Sequence, residues 1–305
     1  MKLTNEQITA VKARGFLQNR GTELFSGRIV SKNGTVFSSE DFKNLSLIAS
    51  QYGNGTLAAT SRLSIEISGI PYDKIEEAEL FALEHNLSFG GTGAKVRPIA
   101  ACKGTTCIYG NFDTQGLAKR LYSEFYEGYS SVALPHKFKI AVGGCPNSCM
   151  KPSLNDFGIQ GHKAPIYNSE LCRGCKVCQI EKRCPMKACS VEGGKLVIDK
   201  EKCILCGVCT GKCPFGAVEN ESRVLYRIFV GGTWGKHTRM GTSLSRLVSE
   251  EEIIPILEKT ILWYKENALP KERLGRTIDR VGFDSMEKAL FSDELLTRKA
   301  EILAK

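Results

Sequence analysis

Twelve of the thirteen cysteines fall into three groups of four, and two of these groups form a doubled run. The run reads CRGCKVCQIEKRCP at residues 172–185 and CILCGVCTGKCP at residues 203–214. Thiolates in the pattern C-x2-C-x2-C-x3-C-P bind bacterial iron–sulfur clusters. The second half matches this pattern residue for residue, and the first half differs only in having five residues before its last cysteine. The doubled run therefore predicts a two-cluster ferredoxin module.

Each cluster of such a module takes three thiolates from one half of the run and the last thiolate from the other half. The two predicted ligand sets are Cys172, Cys175, Cys178 with Cys213, and Cys203, Cys206, Cys209 with Cys184. Pairs of the type CxxC also bind zinc, but doubled triplets that end in Cys-Pro are poor zinc ligand sets. Disulfides are typical of short secreted chains rather than of closely spaced cysteines in a long one. The leftover Cys189 takes the position of Val218 in the repeat, which predicts a small buried apolar residue.

A third group of cysteines lies upstream, in ACKGTTC and GGCPNSC. Its members are Cys102, Cys107, Cys145 and Cys149. Two pairs of cysteines separated by 37 residues predict another metal site. Arg97 precedes the first pair and LPHKFK (134–139) precedes the second, so cations are clustered near this site. Such clustering favours an anion that is brought to the metal, although a single Lys or Arg is more often a solvated surface charge.

Composition argues against several classes of protein. Hydrophobic residues make up 42% of the chain, yet no segment approaches the ~18 consecutive apolar residues of a membrane helix. The N-terminal stretch MKLTNEQITAVKARG lacks the apolar core of a signal peptide. The net charge of +9 favours anionic partners, but the basic residues are dispersed and form no nucleic-acid-binding motif. We therefore expect a soluble cytoplasmic protein without membrane or nucleic acid as a partner.

Hydrophobic periodicity predicts that an α+β scaffold positions the cysteines. The first 86 residues predict a lobe with the order strand, helix, strand, helix. Its predicted elements are a strand over 22–30, a turn over 31–35, a helix between the cap Ser38 and Gly53, a strand over 63–67 and a helix from Pro71 to about His85. The glycine cluster FGGTGAK (89–95) lacks G-x-G-x-x-G spacing and no clear helix follows it, so we reject a nucleotide-binding loop.

The rest of the chain predicts elements that end near the cysteine groups. They are a strand over 96–101, a helix from Asp113 or Thr114 to about Tyr126, a strand over 137–142, an insert over about 167–220, a strand over 223–230, a helix over 250–267 with a capping box of Ser249 and Glu252, and further C-terminal helices. The predicted domain boundaries are 1–86, 87–166, 167–220 and 221–305.

ACKGTTC together with VGGCPNSC resembles the cluster motif of the sirohaem-dependent sulfite and nitrite reductases. The resemblance covers most of the chain and includes RIVSKNGTVF (28–37), TSRLSIEISGI (60–70) and YRIFVGGTWGKHTRMG (226–241). A ferredoxin module inserted after the sirohaem motif in so short a chain is similar to the C subunit of anaerobic sulfite reductases and to the small clostridial-type enzymes. The resemblance implies an α+β fold, with a ferredoxin-like N-terminal lobe, a sirohaem domain and an inserted bacterial-type 2[4Fe-4S] ferredoxin domain.

The resemblance also implies the cofactors and the site residues. The upstream cysteines would hold a [4Fe-4S] cluster, with Cys149 bridging to the sirohaem iron, which makes three [4Fe-4S] clusters in the chain. The implied anion pocket consists of Arg28, Arg97, Lys137 and Lys139, of which the two lysines alternate along a predicted strand and so face one side. The implied sirohaem shell consists of Arg62, Lys103, Thr106, Asn147 and Arg239. The first cysteine pair is spaced by four residues where the family commonly has five, which implies a tighter loop over the cluster.

The reaction implied by the resemblance is the six-electron reduction of sulfite to sulfide. The cations would bind the anion, and a lysine desolvated among them would be a usable acid. Electrons would enter through the ferredoxin clusters from a donor protein, either a flavoprotein or a ferredoxin. Larger members of the family carry two copies of the lobe-plus-domain unit and this chain has one, so we expect a homodimer.

Three other functions stay open at this point. Nitrite could be reduced to ammonia on the same site, or the chain could be a non-catalytic iron–sulfur protein that transfers electrons. A nucleic-acid enzyme with structural clusters is a more remote alternative. None of the four histidines has a partner three or four residues away, so no histidine site is predicted.

Overall fold

The computed structural model describes residues 3–32 and 35–304. Its helices are α1 (Asn5–Ala13), α2 (Ser39–Tyr52), α3 (Ile75–Glu84), α4 (Thr114–Leu121), α5 (Gln179–Arg183), α6 (Glu250–Asn267), α7 (Leu274–Val281), α8 (Phe283–Leu290), α9 (Glu294–Thr297) and α10 (Lys299–Ala304). Its strands are β1 (Phe16–Gln18), β2 (Leu24–Val30), β3 (Leu57–Ala59), β4 (Ile65–Pro71), β5 (Ser88–Phe89), β6 (Ala100–Ala101), β7 (Ile140–Gly143), β8 (Phe157–Ala164), β9 (Cys189–Glu192), β10 (Lys195–Ile198), β11 (Arg223–Val230) and β12 (Thr242–Ser243). Within the described ranges, none of the helices has the length and apolar character that a membrane span requires.

The N-terminal lobe is an antiparallel sheet covered by α2 and α3. Its strand order is β1-β2-β4-β3, and β5 pairs with β2. Ser38 caps α2 as predicted, because its hydroxyl accepts the N–H of Asp41 and the Asp41 carboxylate accepts the N–H of Ser38. Leu45 and Ile48 of α2 are buried in the core of the lobe. The lobe therefore has a core of its own, on one side of β2.

Some boundaries in this lobe differ from the prediction. β4 begins at Ile65 rather than at residue 63, because Leu63 has a positive φ of 61° in the preceding turn. Pro71 is followed by a 3-10 turn, Tyr72–Lys74, so α3 begins only at Ile75. The predicted turn over 31–35 includes residues 33 and 34, which lie outside the described residues.

The second sheet carries the upstream cysteines. Its strand order is β12-β11-β8-β7-β6, with β6, β7 and β8 parallel to each other. All four residues of β7 are buried, as is typical of a strand covered on both faces. The main core of the chain includes α4, α6 and this sheet. The chain leaves β6 directly into Cys102 and leaves β7 directly into the segment of Cys145 and Cys149, so two neighbouring parallel strands end at the cysteine pairs.

Two predicted strands of this sheet are shorter than expected. The strand over 96–101 is reduced to β6, and Val96 makes only an isolated bridge to Phe138. Pro98 lies between the two and has no N–H to donate to a ladder. The strand over 137–142 begins at Ile140, so Lys137 and Lys139 lie in the segment just before β7.

The predicted helix to about Tyr126 ends as α4 at Leu121 and continues as a π-helical turn over Tyr122–Glu127.

The doubled cysteine run lies between two paired strands. β8 and β11 are antiparallel over their whole length, from Phe157↔Val230 to Ala164↔Arg223. The intervening segment contains α5, the β9–β10 hairpin and a small core of Ile180, Cys189, Leu196 and Val218. Cys189 is buried, as its correspondence to Val218 predicted. The chain thus leaves the second sheet and returns to it at one place.

The mixed α/β architecture agrees with the predicted fold class.

Candidate active site

Five cations line one cavity between the N-terminal lobe and the second sheet. They are Arg28, Arg62, Arg97, Lys137 and Lys139, and we call this cavity the cation pocket. Its volume is about 230 Å³, and no acidic side chain is among the described residues that line it. Arg28 comes from β2, Arg62 from the turn before β4, and the two lysines from the segment before β7. Residues from distant parts of the chain are therefore brought together by the packing of the lobe on the sheet.

The three arginines are held by hydrogen bonds that leave part of each guanidinium free. Arg28 forms an ion pair with Glu66 at 2.8 Å. Arg62 donates to Oδ1 of Asn155 at 2.9 Å and to the carbonyl oxygens of Pro98 and Ile140. Arg97 donates to the carbonyl oxygen of Gly91. Within the described part of the chain, the Nε atoms of all three are buried without a hydrogen-bond partner. Buried donors of this kind normally have partners, so the pocket is suited to a bound anion.

The lysines of the cation pocket are weaker bases than free lysine. Burial lowers the pKa of Lys139 to about 8, and the charges of Arg62, Lys137 and Arg273 act in the same direction. Burial also lowers the pKa of Lys137, with further lowering from Arg273 and Arg97. An ammonium group with a pKa near 8 is charged at neutral pH and can release its proton to a bound substrate.

Asp156 compensates part of this positive charge and was not predicted. It is fully buried, and both its oxygens lie 2.8 Å from Nη2 of Arg273. One oxygen also accepts the backbone N–H of Lys139 at 2.9 Å. Burial raises the pKa of Asp156, while Arg273 and the Lys139 amide act against that rise. The carboxylate therefore fixes the backbone at Lys139 and positions an arginine next to the pocket.

The rejected nucleotide loop forms a wall of the cation pocket. Gly91 lines the pocket with a φ of 74°, and a Cβ there would lie 2.9 Å from Cγ of Pro98. Its N–H donates to the Tyr126 hydroxyl at 2.9 Å, and its carbonyl oxygen accepts from Arg97. Only glycine combines this backbone conformation with the close approach. The glycine cluster therefore orients Arg97.

Cys149 lies in a cavity that adjoins the cation pocket. This second cavity, of about 280 Å³, shares Arg62 and Lys139 with the pocket and is also lined by Lys151 and Trp234. The other three upstream thiols are Cys102, Cys107 and Cys145. Burial raises the pKa of Cys145, and the other three thiols act in the same direction. The N–H of Gly144 donates to the Cys102 sulfur at 3.1 Å, a contact that suits a thiolate.

A third cavity continues from the first two and is strongly basic. It shares Lys137 with the cation pocket and Trp234 with the Cys149 cavity, and its volume is about 490 Å³. We call it the basic cleft, and its other cations are Lys236, Arg239, Lys271, Arg273 and Arg276. Arg239, which the sequence singled out, pairs with Asp279 at 2.7 Å. Apart from Lys137 and Arg239, the basic residues of this cleft were not predicted as site residues.

Three residues of the predicted sirohaem shell lie elsewhere. Lys103 and Thr106 are exposed at the turn between Cys102 and Cys107, and Asn147 is exposed between Cys145 and Cys149. None of the three lines the cavities described above. The backbone N–H of Asn147 lowers the pKa of Cys145, so its observed contact is with a thiol. The structure brings these residues to the cysteine loops rather than to the cation pocket.

In the insert, the four members of one predicted ligand set share a cavity. Cys184, Cys203, Cys206 and Cys209 line it, together with Cys189. Members of both predicted sets, Cys172, Cys178, Cys184, Cys209 and Cys213, pack against the small core of the insert. Backbone N–H groups donate to the Cys172 sulfur at 3.4 Å and to the Cys184 sulfur at 3.3 Å. All thirteen cysteines are free thiols.

Among the described residues, no three His, Cys, Asp or Glu side chains converge as ligands of a single metal ion. The thiolates of a cubane cluster each bind a different iron, so they do not need to meet at one point.

Comparison with known proteins identifies the family. A model described as the nitrite and sulphite reductase 4Fe-4S domain matches residues 92–299, and one described as the nitrite/sulfite reductase ferredoxin-like half domain matches residues 16–80. This chain belongs to the nitrite and sulphite reductase family. The family implies an iron–sulfur cofactor and sirohaem, and it makes the chain a member of a group of oxidoreductases.

Relatives and solved structures agree with this assignment. The coenzyme F420-dependent sulfite reductase of Methanocaldococcus jannaschii is 33% identical over 274 residues, which are 88% of this chain and 42% of that protein. The C subunit of the anaerobic sulfite reductase of Salmonella typhimurium is 30% identical over 263 residues, which are 77% of this chain and 74% of that protein. The crystal structure of dissimilatory sulfite reductase I matches with a TM-score of 0.70 at 22% identity, covering 88% of this chain and 69% of that one. This last similarity shows the fold. The chain spans less than half of the first of these relatives.

Proposed function

We propose that this chain reduces sulfite to sulfide in a six-electron reaction that depends on sirohaem. The observation that carries the proposal is the convergence of five cations on one cavity that adjoins Cys149. A small oxyanion would be held there by guanidinium and ammonium groups, next to the thiol that can bridge a cluster to a haem iron. The names of the relatives support sulfite as the substrate, since three kinds of sulfite reductase are among them.

The residues present fit sirohaem, which carries several carboxylates. The basic cleft offers Lys236, Arg239, Lys271 and Arg276 to such groups, and Arg62 lines both the cation pocket and the Cys149 cavity. The proposed shell also includes Lys103, Thr106 and Asn147, which are available on the cysteine loops. When bound, sirohaem coupled to an iron–sulfur cluster through Cys149 supplies an open iron site and the redox chemistry.

The cations of the pocket would bind the substrate and move its protons. The guanidinium groups of Arg28 and Arg97 would stabilise negative charge as it develops on the substrate oxygens. Lys139, with its pKa near 8, would donate protons as water leaves, and Lys137 would share this role. Asp156 keeps the charge in balance by holding Arg273.

The twelve grouped cysteines would hold three [4Fe-4S] clusters. The upstream set is Cys102, Cys107, Cys145 and Cys149, and the insert sets are Cys172, Cys175, Cys178 with Cys213 and Cys203, Cys206, Cys209 with Cys184. The common cavity of Cys184 and the second triplet supports the crossed pairing of a two-cluster ferredoxin domain. The insert would receive single electrons from a flavoprotein or a ferredoxin. A homodimer would supply the second copy of the lobe-plus-domain unit, and the mass of the purified assembly tests this.

The decisive experiment measures steady-state reduction of sulfite and of nitrite by the purified protein with reduced methyl viologen. We expect sirohaem absorption bands, extractable pigment and faster turnover of sulfite than of nitrite. Faster nitrite turnover would favour the nitrite reductase named in the family description. Iron–sulfur absorbance without extractable pigment or turnover would instead support a non-catalytic electron-transfer protein.

A further inference from the structure

A buried histidine on β8 links the two kinds of cysteine loop. Nδ1 of His162 lies 3.0 Å from the carbonyl oxygen of Ile204, within the second cysteine run of the insert. Nε2 of His162 lies 3.0 Å from the side-chain amide of Gln160. That amide also forms a hydrogen bond with the hydroxyl of Ser148, in the upstream segment between Cys145 and Cys149. An unbroken series of side-chain hydrogen bonds therefore joins the two cysteine loops.

The side chains at the centre of this bridge are buried. His162 and Gln160 are 3% and 7% exposed, and they are two residues apart on a strand, so they share a face. Burial lowers the pKa of His162 to about 4, so the ring is neutral at pH 7 and has one N–H. The neutral ring donates its one N–H to one of the two oxygens that face it, the Ile204 carbonyl or Oε1 of Gln160, and the Gln160 NH2 donates to the Ser148 hydroxyl. These buried contacts restrict the movement of the two cysteine loops relative to each other.

β8 also fixes how far apart the two loops are. Gln160 pairs with Gly143 at the end of β7, immediately before the upstream segment of Cys145. Lys163 bridges to Cys206, and its N–H donates to the carbonyl oxygen of Leu205 at 2.8 Å. Gln160 and Lys163 are three positions apart on β8, which corresponds to ~10 Å at the rise of a β-strand. The insert is thus seated directly on the strand that borders the upstream site.

We propose that the bridge of His162, Gln160 and Ser148 positions the second cysteine run of the insert for electron transfer to the upstream cluster. His162 is a positioning residue in this scheme, since it touches neither substrate nor cofactor. This proposal depends on the proposed function, because it requires that both cysteine loops hold clusters. The arrangement of the ligands supports that, because Cys203, Cys206 and Cys209 meet Cys184 at one cavity on the side of Ile204.

The step itself is a single-electron transfer. One electron would leave the reduced cluster of the insert and would be gained by the oxidised upstream cluster. No bond would form or break and no proton would move. The external reductant used in the test is a reduced ferredoxin, one of the two proposed classes of donor.

The test follows electrons in the holoenzyme without sulfite. The protein is mixed with reduced ferredoxin in a stopped-flow instrument. Absorbance at the sirohaem band gives the rate at which electrons reach the sirohaem, and rapid-freeze EPR gives the rate at which the insert clusters are reduced. In His162→Phe and Gln160→Met we expect the first of these rates to fall about tenfold, which corresponds to ~1.4 kcal/mol against the seated arrangement. Reduction of the insert clusters should be unchanged. His162→Asn retains an N–H for Ile204 and should recover part of the rate.

The matched control is His85→Phe. His85 also places Nδ1 against a carbonyl oxygen, that of Phe81 at 2.8 Å, but it lies in the N-terminal lobe. Its replacement should leave the rate of electron transfer to the sirohaem unchanged. The proposal would be overturned if this rate stayed within about twofold of wild type in a folded, fully loaded Gln160→Met or His162→Phe protein. It would also be overturned if His162→Asn were no faster than His162→Phe. Because no sulfite is present, a failure of sulfite turnover in the wild type would refute the proposed function separately.

Discussion

Replacing Asp156 with asparagine should destabilise the sirohaem-free protein by about 3–5 kcal/mol, the cost of removing one partner from a buried ion pair. The carboxylate is fully buried and is bonded twice to Arg273 at 2.8 Å, while Arg273 itself is largely buried. Asparagine keeps the size and one oxygen, which can still accept the Lys139 N–H. Its NH2 group, however, would face a guanidinium that can only donate. Losing the two hydrogen bonds that Oδ1 accepts from Nε and Nη2 of Arg273, at about 1.5–3 kcal/mol each, gives a similar figure.

Urea unfolding followed by tryptophan fluorescence measures this change, since Trp263 is buried in the main core. The double variant Asp156→Asn/Arg273→Met should regain about 2 kcal/mol, because it no longer contains an unpaired buried cation. The control is Glu40→Gln, whose ion pair with Lys43 is exposed and should contribute less than about 1 kcal/mol. A cost below about 1 kcal/mol for Asp156→Asn, or a double variant no more stable than the single one, would refute this reasoning.

Three further predictions concern the pocket and its cysteine. Cys149→Ser should abolish sulfite reduction while the insert clusters stay in place, which turnover and EPR together would show; full activity would contradict the bridging role. Lys137→Ala should lower kcat by about 10²–10³ with an intact haem spectrum, the usual effect of removing one electrostatic stabiliser, and an unchanged rate would remove Lys137 from the pocket. Lys139 has a pKa of about 8 in the folded protein, below its ordinary 10.5. Between these two pH values the unfolded chain binds more protons than the folded one. The free energy of unfolding of the sirohaem-free protein should therefore rise from pH 8 to 10.5. Lys139→Met should flatten that rise in urea titrations, and an unaltered slope would contradict it.

The features that were predictable from the sequence are those whose chemistry depends on local spacing. The capping box at Ser38 specifies the start of α2 from four consecutive residues. The spacing of the cysteine runs predicts their ligand sets in the same local way. The five cations of the pocket were identified through resemblance, since they come from separate parts of the chain. Their convergence could be observed only once the lobe was packed on the sheet.

The features that were missed depend on tertiary contacts. Asp156 and Arg273 are 117 residues apart, and Arg273 precedes an amphipathic helix that carries no local chemical signal. His162 was passed over because its partners lie two residues away on a strand and across the insert, outside the three- and four-residue spacing of a helix. The strand over 96–101 was overestimated because the apolar pattern outweighed Pro98. In each case long-range packing decided the outcome.

The pairing of Ala164 with Arg223 has a consequence for engineering and for folding. Because the entropy of closing a loop grows only with the logarithm of its length, by about 0.6 kcal/mol per doubling, residues 165–222 impose little penalty on the host sheet. A short turn could replace them, and a redox module of different potential could be grafted there, without disturbing the register of β8 and β11. The insert thus leaves and rejoins the second sheet at paired positions of β8 and β11, and a grafted module would also have to replace the contacts of His162 and Lys163 with the second cysteine run.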